Sequence, residues 1–203
     1  GYVPSGEACP ASEVVFIDPA VPDAEIIVAQ LPEKAEVVRL LPGRDGVAQI
    51  SAHLAGKRDL SAIRIISHGN AGYFVLNGKR IDGDFLRDHG DRISVWGQAL
   101  VNDGDILLYA CNLAETAEGK AFVEHLADLT GVDVAASTNV TGGLPTADHG
   151  SPTTSSEWHL EYNRGLIESS PLNIQRYSNH LADQVVTNNN DSGSDSLRQA
   201  IID

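Results

Sequence analysis

Two short aliphatic runs each end in a residue that could do chemistry. Residues 63–69 read Ile-Arg-Ile-Ile-Ser-His-Gly and carry His68, and residues 105–112 read Asp-Ile-Leu-Leu-Tyr-Ala-Cys-Asn and carry Cys111. Continuous apolar runs of this kind are typical of strands that are buried on both faces of a parallel sheet. The carboxyl ends of such strands meet at one edge, where active sites collect. The sequence therefore predicts that His68 and Cys111 meet there.

A cysteine beside a histidine is suited to nucleophilic catalysis. The thiolate is the attacking form, and an unperturbed thiol gives only a small thiolate fraction at neutral pH. A neighbouring imidazole can take the thiol proton and later give it to the leaving amine. The developing oxyanion needs fixed donors, which the backbone N–H groups of Gly69 and Cys111 offer at the two strand ends. Gly69 also lets a substrate backbone approach closely because it has no side chain.

Each of these residues also has a plainer interpretation. His68 could be a strand-end histidine with satisfied hydrogen bonds, and Cys111 could be an ordinary core residue. The two cysteines of the chain, Cys9 and Cys111, also permit one disulfide or two inert thiols. Zinc is disfavoured because the sequence has no Cys-x-x-Cys or His-x-x-x-His spacing. We expect no cofactor; the acidic composition leaves room for calcium, but no complete calcium-loop pattern is present.

The composition excludes several classes of partner. Lys and Arg number 14 against 28 Asp and Glu, so the formal net charge is −14. Nucleic acids and anionic membrane surfaces need cationic patches and are therefore not expected as partners. No apolar stretch is long enough for a transmembrane helix. The chain lacks methionine, so we expect that Gly1 is not the native start.

The order of predicted elements favours an α/β fold. Predicted strands at 14–17, 36–40, 63–66, 105–112 and 132–137 alternate with predicted helices at 23–30, 47–56, around 85–86, at 93–100 and at 115–129. Such alternation implies a mostly parallel sheet that is covered by helices on both faces. Asn77-Gly78 predicts a hairpin, Asn102-Asp103-Gly104 a turn, and residues 158–162 a terminal edge strand.

Three segments are predicted along the chain. Residues 1–12 are expected to be a leader, residues 13–167 the α/β domain, and residues 168–203 a connector followed by a different structure. Leu172, Ile174 and Tyr177 within the connector could lie back on the domain.

The Ser-His-Gly and Ala-Cys strand ends, about forty residues apart, resemble the signature of the clan CD cysteine peptidases. That clan includes the caspases, gingipains, clostripain, legumain and separase. The resemblance implies a caspase-like three-layer sandwich for residues 14–137. It further implies that Cys111 is the nucleophile, His68 the general base and acid, and Gly69 a donor to the oxyanion.

The same resemblance bears on substrate binding. Several clan members carry an acidic residue two positions before the cysteine, whereas Tyr109 stands there in this chain. Asp18, at the end of the first predicted strand, would lie on the same edge and could serve the pocket instead. Ser137 and Thr138 end a later strand and could line it as well. Asp18 followed by Pro19 is also a common strand-ending turn.

Two further resemblances suggest the setting of the domain. Val-Phe-Ile-Asp, Gly-Arg-Asp-Gly, Leu-Tyr-Ala-Cys-Asn and Ala-Ala-Ser-Thr-Asn resemble an uncharacterised domain family near the N-terminus of very large bacterial surface and adhesin-like proteins. Residues 185–201 resemble the first segment of a right-handed parallel β-helix. Together they imply a secreted or cell-surface location.

We therefore expect a cysteine endopeptidase whose substrate is a polypeptide, either its own chain or a neighbouring surface protein. The alternative from another class is a non-catalytic interaction or secretion-associated module that keeps the fold. A third interpretation is a structural cap for the following β-helix, with Cys111 as a core residue.

Overall fold

Residues 12–143 and 158–182 are described by the computed structural model, and they form nine strands and four α-helices. The strands are β1 (Ser12–Ile17), β2 (Glu36–Arg39), β3 (Leu60–Ile66), β4 (Gly69–Asn70), β5 (Tyr73–Leu76), β6 (Lys79–Asp82), β7 (Leu100–Tyr109), β8 (Asp133–Ala136) and β9 (Tyr162–Arg164). The α-helices are α1 (Ala24–Val28), α2 (Gly46–Leu54), α3 (Gly83–Ser94) and α4 (Ala117–Thr130), and a short 3-10 helix spans Gly97–Ala99.

The main sheet has six strands in the order β2-β1-β3-β7-β8-β9. All neighbouring pairs are parallel except β8 and β9, which are antiparallel. A small antiparallel sheet of β4, β5 and β6 stands beside it. The predicted α/β fold with a mostly parallel sheet is confirmed. None of the helices in the described ranges is both long and apolar enough to cross a membrane.

Short polar residues fix where the helices begin. The Asp45 carboxylate accepts a hydrogen bond from Ala48 N at 3.0 Å, and the Thr116 hydroxyl accepts one from Gly119 N at 3.2 Å. These side chains satisfy backbone donors that have no partner within the first helical turn. Helix α4 ends at Gly131, which adopts a left-handed conformation with φ 71°.

The sheet separates two apolar cores. Alternate residues of each strand point to opposite faces, so Phe16 joins one core and Ile17 the other. Helices α2, α3 and α4 cover the first face, as expected for a layered α/β domain. Helix α1 covers the second face, in agreement with the predicted helices on both sides, and it is the one helix there among the described residues. The rest of its cover is the largely irregular chain from Trp158 to Ala182.

The region between α3 and β7 departs from the predicted helix at 93–100 and turn at 102–104. Helix α3 ends at Ser94, and β7 begins at Leu100 and runs through residues 102–104. The register against β3 shifts there, so the turn residues form an irregularity inside a strand. Gly97 lies against α4, since a Cβ on it would come within 2.0 Å of Thr130 O.

The C-terminal part of the described chain also differs from the prediction. The edge strand is β9, at residues 162–164 rather than 158–162, and Trp158 is fully buried in the second core. The packed chain continues past the predicted boundary at Ile167, because apolar side chains beyond it are buried: Leu172, Ile174, Tyr177 and Leu181. The β-helix-like residues 185–201 and the predicted leader, except Ser12, lie outside the described ranges.

Candidate active site

His68 and Cys111 end neighbouring strands at the carboxyl edge of the sheet. Strands β3 and β7 are parallel, with Ile66 opposite Tyr109, and Ser67 N donates a hydrogen bond to Tyr109 O at 3.1 Å. His68 and Cys111 each lie two residues beyond that matched pair. The topology therefore brings both residues to the same edge.

The Cys111 thiol is free and fully buried. Its sulfur accepts a hydrogen bond from Thr141 N at 3.2 Å and donates one to Thr141 O at 3.4 Å. Burial raises the pKa of the thiol to about 11, although backbone hydrogen bonds from Thr141 and Leu181 act in the lowering direction. In this arrangement the thiol is protonated at neutral pH, so it needs a base before it can attack.

The His68 imidazole is half-buried between two backbone carbonyls. Nδ1 lies 3.0 Å from Ala182 O, and Nε2 lies 3.0 Å from Ala20 O. A neutral imidazole has one N–H and can donate to only one of them, whereas the doubly protonated ring can donate to both. The described hydrogen bonds of His68 go to these carbonyls and not to Cys111.

Asp18 supports His68 indirectly, through the turn that carries Ala20, and does not present a free carboxylate to a substrate. It is 2 % exposed, and its Oδ1 accepts from Ala20 N at 3.0 Å while Oδ2 accepts from Asn77 N at 2.6 Å. It also forms part of the wall of a 540 Å³ cavity beside β1 and α1. Because both oxygens are engaged, the carboxylate holds the turn that directs Ala20 O at His68.

Tyr109 lies inside the second core and is closed to substrate. Its hydroxyl accepts hydrogen bonds from Arg64 Nη1 and Leu172 N, both at 3.0 Å. Arg64 in turn pairs with the Glu13 carboxylate at 2.8 Å. Burial raises the pKa of the Tyr109 phenol, so the hydroxyl stays neutral. The residue joins β7 to the C-terminal part of the chain and does not line a pocket for substrate.

Ser137 and Thr138 shape the loop that follows β8. Glu161 accepts hydrogen bonds from Thr138 N at 2.9 Å and from the Ser137 hydroxyl at 3.4 Å. The Ser137 hydroxyl also contacts Asn139 O at 2.9 Å. This loop leads directly to Thr141, so the two residues act on the site by positioning the backbone that contacts Cys111.

The candidate oxyanion donor, Gly69, is occupied by the chain itself. Gly69 N donates a hydrogen bond to Leu181 O at 3.0 Å. A Cβ at position 69 would come within 2.7 Å of the Ala110 Cβ and 2.9 Å of Tyr73 O, so only glycine fits there. The close approach at Gly69 is therefore made by Ala110 and β5, while its N–H is engaged by a backbone segment from the end of the described chain.

We call that segment, Asn179–Ala182, the covering segment. It runs between the two strand ends and the loop after β8. Leu181 N donates to Thr141 O at 2.9 Å, and Gly143 N donates to Asn179 O at 2.7 Å. This pattern is an antiparallel strand pairing, because alternate residues of the segment exchange hydrogen bonds with the loop.

Two glycines make room for the covering segment. A Cβ on Gly142 would lie 2.4 Å from Asn179 O, and a Cβ on Gly143 would lie 2.5 Å from His180 Nε2. The sequence predicts neither this contact nor the contact of the Ala20 carbonyl with His68. The sequence does carry a signal for the contact with the covering segment, since adjacent glycines such as Gly142 and Gly143 often mark a close backbone approach.

A group of carboxylates that could hold a metal lies away from this site. Asp105, Asp133 and Glu168 each offer an oxygen within 4.8 Å of the others. Asp105 and Asp133 are paired residues of β7 and β8, at or near the amino-terminal ends of the paired strand segments. The group is therefore at the opposite end of the sheet from Cys111.

A protein-family model for a domain of unknown function, DUF4347, matches residues 14–181. No curated protein matches the sequence. The matched region contains both strand ends, the loop at Thr141 and the covering segment as far as Leu181. It makes up most of the chain, and the chain therefore belongs to the DUF4347 family.

Proposed function

We propose that this domain is a cysteine endopeptidase of the caspase-like, clan CD type, with Cys111 as nucleophile and His68 as general base and acid. One observation carries the proposal. The imidazole of His68 and the N–H of Gly69 both contact the backbone of the covering segment, and that segment also hydrogen-bonds Thr141, whose N–H contacts the Cys111 sulfur. A peptidase needs these three groups around the carbonyl that it attacks.

The chemical roles follow from the contacts. His68 takes the proton of the Cys111 thiol, whose pKa of about 11 makes a base necessary at neutral pH. The thiolate attacks the carbonyl carbon, and Gly69 N–H donates to the oxygen as it becomes negative. Ala20 O accepts from Nε2 and thereby stabilises the imidazolium. His68 then protonates the leaving amine, and water hydrolyses the thioester to a free carboxylate and the thiol.

The caspase-like assignment rests on more than the presence of two reactive residues. The His-Gly and Ala-Cys motifs end adjacent parallel strands, β3 and β7, in the order that the resemblance implies. The absence of an acidic residue at Tyr109 separates this chain from clan members that select basic side chains. The buried, apolar surroundings of Cys111 favour an uncharged residue before the cleaved bond. A location outside the bacterial cytoplasm fits the resemblance to surface proteins.

A non-catalytic interaction or secretion-associated module is the second candidate. One observation favours it: the Cys111 thiol is fully buried under the chain's own backbone, and its pKa is raised. A fold that has lost turnover would tolerate such a closed site. The two candidates differ in whether Cys111 reacts with help from His68.

The test compares the full chain with its Cys111→Ala and His68→Ala variants. Each is incubated with a diverse peptide library and, separately, with a thiol-reactive electrophile. An endopeptidase cleaves library peptides only when both residues are present, and it labels at Cys111 at least tenfold faster with His68 than without it. If the Cys111 thiol does not react with the electrophile and no library peptide is cleaved, the non-catalytic module is favoured.

A further inference from the structure

The covering segment lies across the candidate site as a substrate strand would. Its Leu181 carbonyl oxygen is the acceptor of the Gly69 N–H, at 3.0 Å. Its Leu181 amide donates to Thr141 O at 2.9 Å, and Thr141 N in turn contacts the Cys111 sulfur at 3.2 Å. The Leu181 backbone also acts to lower the pKa of the thiol against the effect of burial. The backbone of Leu181 therefore hydrogen-bonds the candidate oxyanion donor and lies beside the nucleophile.

The next residue faces the general acid. Nδ1 of His68 lies 3.0 Å from Ala182 O, so the ring stands beside the residue whose nitrogen would leave if the Leu181–Ala182 bond were broken. The nucleophile thus lies beside Leu181 and the acid contacts Ala182, the two residues that flank one peptide bond. Such an arrangement supplies the proximity that intramolecular reactions exploit.

The register of this bond is fixed on its N-terminal side. Antiparallel hydrogen bonds to Thr141 and Gly143 hold Asn179 and Leu181, and the side chain of Leu181 is fully buried in the second core. A shift by one residue would turn the Leu181 side chain out of that core. Only one bond of the segment is therefore presented to Cys111.

We infer that this chain cleaves itself between Leu181 and Ala182. This reaction rests on the endopeptidase activity proposed above and names its substrate. The Cys111 sulfur bonds to the Leu181 carbonyl carbon, the C–N bond to Ala182 breaks, and His68 gives the nitrogen its proton. Water then hydrolyses the thioester, which leaves a carboxylate on Leu181, a free amine on Ala182 and the thiol restored.

The cleavage has a consequence for the site. Residues up to Leu181 stay attached to the domain, and the interactions of Asn179, Leu181 and the buried side chains before them remain. The new carboxylate therefore keeps the site filled by its own product. We expect self-cleavage to be much faster than cleavage of added peptides.

The test follows the full chain by intact mass and N-terminal sequencing after refolding from urea. The wild-type chain should give a new N-terminus at Ala182, and Cys111→Ala should remain whole. Leu181→Asp places a charge in the apolar core and should reduce cleavage at least 100-fold. Ser178→Asp is the matched control, because Ser178 is exposed and precedes the covering segment; it should cleave like the wild type.

The outcomes separate the inference from the proposed function. A chain that stays whole, or that is cut at another bond, while still cleaving library peptides through Cys111 overturns self-cleavage at Leu181 and leaves the endopeptidase standing. A chain that cuts neither itself nor any peptide, and whose Cys111 labels no faster with His68, overturns both. Leu181→Asp should also label faster at Cys111 than the wild type, because it releases the cover.

A second, independent observation concerns the carboxylates at the other end of the sheet. Asp105 is fully buried, and its Oδ1 has no hydrogen-bond partner among the described residues. Its Oδ2 accepts from Ser169 N at 2.8 Å, and the paired Asp133 accepts from Leu166 N at 3.0 Å. Two carboxylates that face each other on neighbouring strands repel unless a positive charge lies between them.

We propose that Asp105, Asp133 and Glu168 bind one calcium ion. Their oxygens lie within 4.8 Å of one another, and an all-oxygen donor set suits a hard cation. Gly165 makes room for the site, because a Cβ on it would meet Asp133 Oδ1 at 1.9 Å. The ion would also tie the residues after β9 to the middle of the sheet.

Calorimetric titration with calcium chloride tests this site, with the thermal midpoint of unfolding as a second readout. One ion should bind per chain, and millimolar calcium should raise the midpoint by about 4 °C or more. Asp105→Asn should abolish both effects, whereas Asp103→Asn, an exposed neighbour on the same strand, should keep them. No heat and no shift in the wild type, or an equal response to magnesium, would overturn the proposal.

Discussion

At the scale of single residues, the role of a side chain depends on what its polar atoms already bind. The sequence predicts that His68 and Cys111 share an edge, because each ends an aliphatic run, and the structure brings them there. The sequence does not predict that both carboxylate oxygens of Asp18 accept hydrogen bonds from backbone N–H groups. Nor does it reveal the carbonyl of Ala20, since any residue can supply one. The types of the side chains in a sequence do not show which backbone groups will become their hydrogen-bond partners.

Asp18 offers a test of indirect positioning. Asn at this site has one acceptor oxygen in place of two, so its amide must face the N–H of either Ala20 or Asn77. We expect Asp18→Asn to lower the free energy of unfolding by about 1–3 kcal/mol. Self-cleavage per folded molecule should also fall about tenfold or more, since Ala20 O is no longer fixed against His68.

Asp91→Asn is the matched control for that variant, because Asp91 is exposed on α3 and distant in sequence from the site. Urea unfolding and cleavage rates are measured on all three chains. If Asp18→Asn loses stability but cleaves at the wild-type rate once corrected for the folded fraction, the positioning role is wrong.

The raised pKa of Cys111 predicts how its labelling depends on pH. With a thiol pKa of about 11, the thiolate fraction at pH 8 is about 0.1 % and grows tenfold per pH unit. In a chain carrying Cys9→Ser and His68→Ala, the rate of labelling by iodoacetamide should rise in that proportion from pH 7 to pH 10. A plateau below pH 9, with the chain still folded, would show an activated thiol instead.

At the scale of elements, the strands were more predictable than their cover. Aliphatic runs and the Asn77-Gly78 turn specify the sheet and the hairpin, because their patterns are local. Residues 158–182 carry no helical or strand period along most of their length, so their packing over the second core depends on tertiary contacts. Five buried apolar side chains anchor this stretch, each with about 1.5–3 kcal/mol of burial free energy: Trp158, Leu172, Ile174, Tyr177 and Leu181.

Tyr109→Phe tests how β7 holds that stretch. Removing the hydroxyl leaves Arg64 Nη1 and Leu172 N without their acceptor inside the core. We expect a loss of about 1–3 kcal/mol in the free energy of unfolding. Tyr162→Phe removes an exposed hydrogen bond to Glu124 and should cost less than about 0.5 kcal/mol. If urea titrations give equal losses of unfolding free energy for the two variants, the buried hydrogen bonds of the Tyr109 hydroxyl contribute no more than an exposed one.

At the scale of the whole molecule, the chain supplies both the candidate site and the segment that fills it. The sequence suggests self-processing only through resemblance, because the contact joins residues more than a hundred positions apart, such as Gly69 and Leu181. The pairing of a Gly-Gly loop with a late segment has no local period. Only the folded chain brings these parts together.

That arrangement predicts first-order cleavage. The bond already lies against Cys111 in the same molecule, so the rate constant should not change over a 100-fold dilution of the protein. An excess of Cys111→Ala chain, whose own segment fills its own site, should remain whole beside the wild type. A rate that grows with protein concentration would point to cutting between molecules.

The most direct measurement is a time course of intact mass for the wild-type chain, Cys111→Ala and His68→Ala, all started by dilution from urea. We expect that only the wild type is cleaved, into fragments of residues 1–181 and 182–203, and that both variants fold but remain intact. Self-cleavage by Cys111 and His68 would be contradicted if all three chains fold and none is cleaved. It would also be contradicted if the variants without Cys111 or His68 are cleaved as fast as the wild type.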